Sequence, residues 1–139
     1  MELEIVIGHN FQKHIDTVAN LRISIFREYP YLYDGNISYE ADYLKSYVLS
    51  KNSILILARD KGQIVGALTG LPLLEADEMF RIVFEKNPFP IDSIFYLGEI
   101  LLIKEYRGKG IGFKMYTMFE ELVMQNNQLT LRNFLKISF

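Results

Sequence analysis

Leu97-Gly98-Glu99-Ile100-Leu101-Leu102-Ile103-Lys104-Glu105-Tyr106-Arg107-Gly108-Lys109-Gly110-Ile111-Gly112 reads as a buried strand that runs into a glycine-rich turn and then opens a helix. A turn of this kind exposes several backbone N–H groups. A helix N-terminus adds roughly half a positive charge. Together they form an anion site, most often for phosphate. Glycines at 108, 110 and 112 let the main chain approach a ligand without Cβ interference. Arg107 and Lys109 place cations beside them. Three alternating glycines flanked by two cations exceed what a plain strand–turn–helix corner requires.

Three glycine-rich patterns compete for this stretch. A nucleotide P-loop ends in Gly-Lys-Ser/Thr, but Lys109 lies between glycines and no Ser or Thr follows it. The dinucleotide fingerprint Gly-x-Gly-x-x-Gly fails because Gly112 falls one residue early. It also lacks the acidic residue about 20 positions on that a βαβ unit would supply. The third pattern is Arg/Gln-x-x-Gly-x-Gly/Ala, met by Arg107-Gly108-Lys109-Gly110-Ile111-Gly112. This hexapeptide resembles the coenzyme A pyrophosphate loop of the GNAT (GCN5-related) N-acetyltransferases. Ile100-Leu101-Leu102 is similar to that family's Leu-x-Val strand segment, and Glu105-Tyr106 to the Glu-Tyr before its arginine.

Composition sets the outer bounds. A chain of 139 residues with 50% hydrophobic content suits one domain, 1–139, with one core. A formal net charge of −2 and the lack of a basic tail argue against a dedicated nucleic-acid binder. With no cysteine there are no disulfides, thiolate metal sites or Cys nucleophiles. His9 and His14 are too few, and too far from carboxylate clusters, to suggest a metal. The acidic start Met1-Glu2-Leu3-Glu4 is unlike a signal peptide, and apolar runs such as Ile54 to Ala58 are far too short for a bilayer. A soluble, cytoplasmic protein without membrane partners is the expectation.

Along the chain, Leu3 to Ile7 alternates as a first strand. Phe11, Ile15, Val18, Ala19, Arg22, Ile25 and Phe26 recur at helical spacing, and Tyr29-Pro30 should stop that helix. Pro30 to Asn36 is a tyrosine-rich loop, after which Ser38 is expected to cap a second helix. Ser53 to Ala58 and Gln63 to Thr69 form a hairpin turned by Arg59-Asp60-Lys61-Gly62, with Gly66 marking a bulge or close packing. A helical segment over Leu74 to Glu85 ends at Pro88 and Pro90. Ser93 to Ile103 is the central strand, Gly110 to Asn126 a helix, and Thr130 to Phe139 a last strand. The resulting fold class is mixed α/β, with a mostly antiparallel central sheet flanked by helices. This β-α-α-β-β-(α)-β-α-β order agrees with the GNAT order through its fifth strand. A narrower resemblance, to a subgroup of bacterial GNAT-type proteins, is carried by Pro30-Tyr31-Leu32-Tyr33-Asp34-Gly35 together with Tyr96-Leu97-Gly98-Glu99.

The resemblance implies roles. It makes acetyl-CoA the cosubstrate, with no metal, and a primary amine of a small molecule or peptide the acceptor. The pyrophosphate would lie on Gly108, Lys109, Gly110, Ile111, Gly112 and Phe113, with Arg107 beside it. The pantetheine arm would pair with main-chain groups of Ile100, Leu101 and Leu102, and a backbone N–H there would polarise the thioester oxygen. Glu99 is the candidate general base, because a carboxylate entering an apolar strand holds its proton more tightly and some family members use a glutamate on this strand. The alternative for Glu99 is a strand-end carboxylate that is paired with a lysine or solvated. Tyr31, Tyr33 and Asp34 are acceptor-site candidates, since aromatic rings with a carboxylate suit a cationic amine. Glu28 and Glu40 are weaker acceptor-site candidates and read chiefly as solvated helix faces. Family members continue past the fifth strand with a helix and two strands that wall the pocket, and many place a tyrosine there to protonate the leaving thiolate. The sequence stops at Phe139, which leaves two expectations open: an impaired, non-catalytic coenzyme A-binding module, or a homodimer in which a second copy completes the C-terminal edge strand.

Overall fold

The computed structural model describes residues 1–28, 30–83, 90–125 and 134–136. Five strands form one sheet in the order β1 (Glu2–Ile7), β2 (Ile54–Asp60), β3 (Gln63–Pro72), β4 (Phe95–Leu102) and β5 (Phe134–Lys136). The first three pairings are antiparallel and the last is parallel. Helix α1 (Ile15–Phe26) follows a 3-10 segment over Gly8–His14, and two short helices come next, α2 (Ile37–Tyr43) and α3 (Lys45–Leu49). Helix α4 (Glu78–Val83) lies between β3 and β4, and α5 (Ile111–Gln125) crosses from β4 to β5. Parallel neighbours cannot be joined by a hairpin, so the α5 crossover is what the β4–β5 pairing requires.

The sheet is covered on both faces. Leu55 and Leu57 of β2 join Val18, Ala19 and Ile25 of α1 in one cluster, while Ile54, Ile56 and Ala58 join Met115, Phe119 and Val123 of α5 in the other. That explains why Ile54 to Ala58 is an unbroken apolar run: every residue of it is buried on one face or the other.

The expected elements are present with shifted ends. β2 and β3 run to a two-residue turn, Lys61 at φ 51° and Gly62 at φ 81°, both left-handed, as the twist of a tight hairpin demands. Pairing shifts from Ala58↔Gly66 to Arg59↔Ile64, so Val65 is the bulged residue. A β-carbon on Gly66 would come within 2.8 Å of the Leu101 carbonyl oxygen, so close packing holds as well. The cap of α2 is Asn36, not Ser38: its side chain accepts from the Tyr39 N–H at 2.8 Å, and Ser38 lies inside the first turn. The expected stops at Tyr29 and Pro88, and most of the last strand, fall outside the described residues. No helix among the described residues is long and apolar enough to cross a membrane.

Candidate active site

The site begins with one extra residue in β4. Thr69 pairs with Glu99 and the next residue, Gly70, pairs with Leu97, so Gly98 is a bulge. Before it, Phe95 and Leu97 face α5 and Tyr96 faces α1. Simple alternation would send Glu99 and Leu101 toward α5. The extra residue reverses the parity: Leu101 packs in the α1 cluster, and Glu99 reaches Arg22 of α1. Only glycine fits the bulge, since a β-carbon there would lie 2.1 Å from the Tyr47 hydroxyl and 3.0 Å from Thr69 Oγ1.

Arg22 is shared by two carboxylates. Its Nε donates to Glu40 Oε2, and its Nη1 meets Glu99 Oε1. All three residues are buried, with Arg22 8% exposed, Glu40 0% and Glu99 5%. The guanidinium also lies 4.1 Å from the centre of the Tyr43 ring and 5.1 Å from that of Phe26. Among the described residues, Glu99 Oε2, Glu40 Oε1 and Arg22 Nη1 have no hydrogen-bond partner, Nη1 meeting Glu99 as an ion pair only. Buried charges persist when each has a partner, and here one cation serves two anions.

These residues line a cavity of about 420 Å³ together with Phe26, Tyr31, Tyr33, Tyr39 and Tyr43. The loop after α1 brings two of the rings. The Tyr33 N–H donates to the Phe26 carbonyl at 2.6 Å, folding the chain back over the helix end. Leu32 adopts φ 50°, a costly left-handed conformation for leucine, to make that return. Tyr31 then stands edge-on to Phe26 with ring centres 5.2 Å apart. Tyr33 and Tyr39 face each other at 6.5 Å, tilted by 58°. Burial, and then the Glu40 carboxylate, hold the Tyr33 hydroxyl above its ordinary range, and burial does the same for Tyr43. Both are therefore neutral near pH 7.

On the far side of Glu99, β4 presents an edge that is only partly paired among the described residues. Its pairing with β5 covers Phe95 to Leu97, and among the described residues no strand pairs with Gly98 to Leu102 on that side. The strand leads into the glycine turn. Gly108 and Gly110 have φ of 74° and 82°, and a β-carbon on either would meet nothing within 4 Å. Backbone conformation, not crowding, selects glycine here, and the space above the turn is open. The Lys114 N–H donates to the Gly110 carbonyl at 3.1 Å as the first bond of α5. The preceding N–H groups of Ile111, Gly112 and Phe113 have no intrahelical acceptor. Arg107 donates from Nε to the Leu102 carbonyl at 2.8 Å, and its Nη2 lies 3.5 Å from Glu28. The Tyr106 hydroxyl donates to Asp60 Oδ2 at 2.6 Å, tying the turn to the β2–β3 hairpin. The turn therefore offers main-chain donors suited to an anion.

The structure thus brings Glu99, Tyr31 and Tyr33 to one cavity and sets Ile100 to Phe113 along its neighbouring edge. Asp34 is exposed and does not line the cavity. Glu40 corrects an expectation: it is fully buried, not a solvated helix face, because Arg22 pairs with it. Sequence reasoning missed Arg22, although an arginine among the apolar positions of an amphipathic helix was the signal.

Residues 18–136 match the family model described as acetyltransferase (GNAT) family. Among curated proteins, no match is found. Solved structures share the fold. An apo aminoglycoside 6'-N-acetyltransferase, AAC(6')-Ig, from Acinetobacter haemolyticus superposes with TM-score 0.67 at 14% identity, over 99% of this chain and 79% of its own. A ribosomal-protein-alanine N-acetyltransferase from Brucella melitensis biovar Abortus 2308 gives TM-score 0.62 at 16% identity, over 99% and 81%. The aminoglycoside N-acetyltransferase AAC(6')-Iy, solved in complex with CoA, gives 0.64 at 10% identity, over 99% and 76%. With a family match that spans most of its length and includes the bulged strand, the glycine turn and α5, the chain belongs to the GNAT family of acetyltransferases.

Proposed function

We propose that the chain moves an acetyl group from acetyl-CoA to a primary amine of a small molecule or peptide. One observation carries this reading: a single strand, β4, joins a main-chain anion turn to a carboxylate-bearing cavity. Glu99 lines the cavity, and Ile100 to Leu102 lead from it to Gly108. In this reading the N–H groups of Ile111, Gly112 and Phe113, with Arg107, hold the pyrophosphate. The open edge of Ile100, Leu101 and Leu102 takes the pantetheine arm as an added strand, and an N–H of that edge polarises the thioester carbonyl.

The acceptor enters as an ammonium ion. Glu99 accepts its proton, directly or through a water, and Oε2 is its oxygen without a hydrogen-bond partner among the described residues. The amine nitrogen then bonds to the acetyl carbon, the carbon–sulfur bond breaks, and the thiolate takes up a proton. The sum is an amide, a free thiol and one proton released to solvent.

The pairing of Glu99 with Arg22 favours a second reading, in which Glu99 is structural and the protein binds coenzyme A without transfer. Thiol release from acetyl-CoA with a panel of primary amines separates the two. Amine-dependent release that falls by about 10²-fold or more in Glu99→Gln, with coenzyme affinity unchanged, is expected for a general base. Coenzyme binding with no release from any amine supports the second reading.

A further inference from the structure

We infer that the cavity between α1, α2 and β4 selects a singly charged amine carried on an aromatic or similarly flat apolar body, in preference to a polycation. This deepens the acetyl-transfer reading above, on which the identity of the reaction rests, but it concerns binding and stands on separate observations.

Charge comes first. Among the described residues lining the cavity, the charged groups are Arg22, Glu40 and Glu99. Two carboxylates against one guanidinium leave a formal charge of −1. That excess is matched by one ammonium ion. A polyamine or aminosugar would bring two or more charges into a wall that can neutralise one, and the rest would be desolvated without partners. An anionic ligand would find Arg22 already ion-paired with both Glu40 and Glu99. The unpartnered Glu99 Oε2, on a residue 5% exposed, is an acceptor still without a donor, which an ammonium group supplies.

The rest of the wall is aromatic. Arg22 covers Phe26 and Tyr43, so those two rings are bound to the protein's own cation. Among the described residues no cation covers Tyr31, Tyr33 or Tyr39, and the tilted pair Tyr33 and Tyr39 offers a wedge of ring surface. Tyr31 and Tyr39 are 53% and 61% exposed in the free protein, a large aromatic area for a soluble ligand to cover. A flat apolar body gains from such rings, whereas the hydroxyl-rich body of an aminosugar would find few polar partners there.

The test is equilibrium binding to the full chain by titration calorimetry, with 2-phenylethylamine, spermidine, the uncharged 2-phenylethanol and the anionic phenylacetate as probes. The inference expects 2-phenylethylamine to bind at least about tenfold more tightly than each of the others, the margin that one desolvated cation–aromatic contact supplies. Spermidine, the alcohol or the acid binding as tightly overturns it, and so does an absence of 2-phenylethylamine binding at millimolar concentration. Tyr39→Leu, at an exposed position, should erase several-fold of the preference over spermidine; an unchanged preference in the folded variant also overturns it. Thiol release from acetyl-CoA is then read with the same amines. Selective amine binding without release contradicts acetyl transfer but leaves the selectivity intact. Release that prefers spermidine supports acetyl transfer and overturns the selectivity.

Discussion

The glycine turn and the aromatic cavity are joined by the end of β4, from Glu99 to Leu102, and the short segment after it, yet they are built in opposite ways. The turn is made of main chain. Its donors are backbone N–H groups, and its shape comes from two left-handed glycines within three positions. The cavity is made of side chains. Arg22 comes from α1, Glu40 from α2, Glu99 from β4, and Tyr31 and Tyr33 from the loop between α1 and α2. The turn is stable as local geometry, while the cavity exists only once three elements have packed. Mutations should therefore separate them: changes at the buried charges of the cavity should cost the fold several kcal/mol, and changes in the turn should act chiefly on the ligand at a small cost in stability.

The largest effect is expected at Arg22. Arg22→Met keeps most of the volume but leaves Glu40 and Glu99 buried without a cation, at a cost of about 3–5 kcal/mol in urea unfolding. Adding Glu40→Leu removes one of the stranded charges, so the double variant should be more stable than Arg22→Met alone. A loss under about 1 kcal/mol for the single variant would mean that the three groups are not coupled as described.

The smallest effect is expected where the turn is anchored. Asp60 is held below its ordinary value of 3.8, first by the hydroxyl of Tyr106. A carboxyl lowered in the folded state adds stability that is full above the unfolded value and is lost as pH falls through the folded one. The Tm difference between wild type and Tyr106→Phe should thus be small and steady from neutral pH down to about 4, then shrink on further acidification. A difference that grows in acid would contradict the pairing.

The same contrast explains what the sequence discloses. Gly108, Gly110 and Gly112 follow the strand and open the helix within a few residues, so the turn is written as a contiguous motif and its placement agrees with the structure. The alternating and unbroken apolar runs likewise mark β1 to β4, because burial on one or two faces imposes those patterns. The cavity is not contiguous. Nothing local to Glu40 indicates that Arg22, 18 residues earlier, will bury it. By itself its position on a short polar helix looks solvated. Glu99 is visible as an unusual residue in an apolar strand, but which way it points depends on the bulge at Gly98, and that is a property of the pairing with Thr69 and Gly70. The cap of α2 shows the same limit on a smaller scale. Asn36 and Ser38 are both good caps, and the choice falls on Asn36 because the loop that returns Tyr33 to Phe26 starts the helix two residues earlier.

Titration of acetyl-CoA into wild type, Gly110→Asp and Gly62→Ala asks whether a main-chain turn holds the coenzyme on this fold, as proposed. Gly110 and Gly62 share the same left-handed backbone with open space around them, so both substitutions strain the chain by about 1 kcal/mol or more, and only one lies in the turn. Wild type and Gly62→Ala should bind alike, while Gly110→Asp, which also sets a carboxylate against a pyrophosphate, should lose about a hundredfold or more, roughly 2.7 kcal/mol. Equal binding by all three folded proteins, or binding by none, would contradict the assignment of the turn.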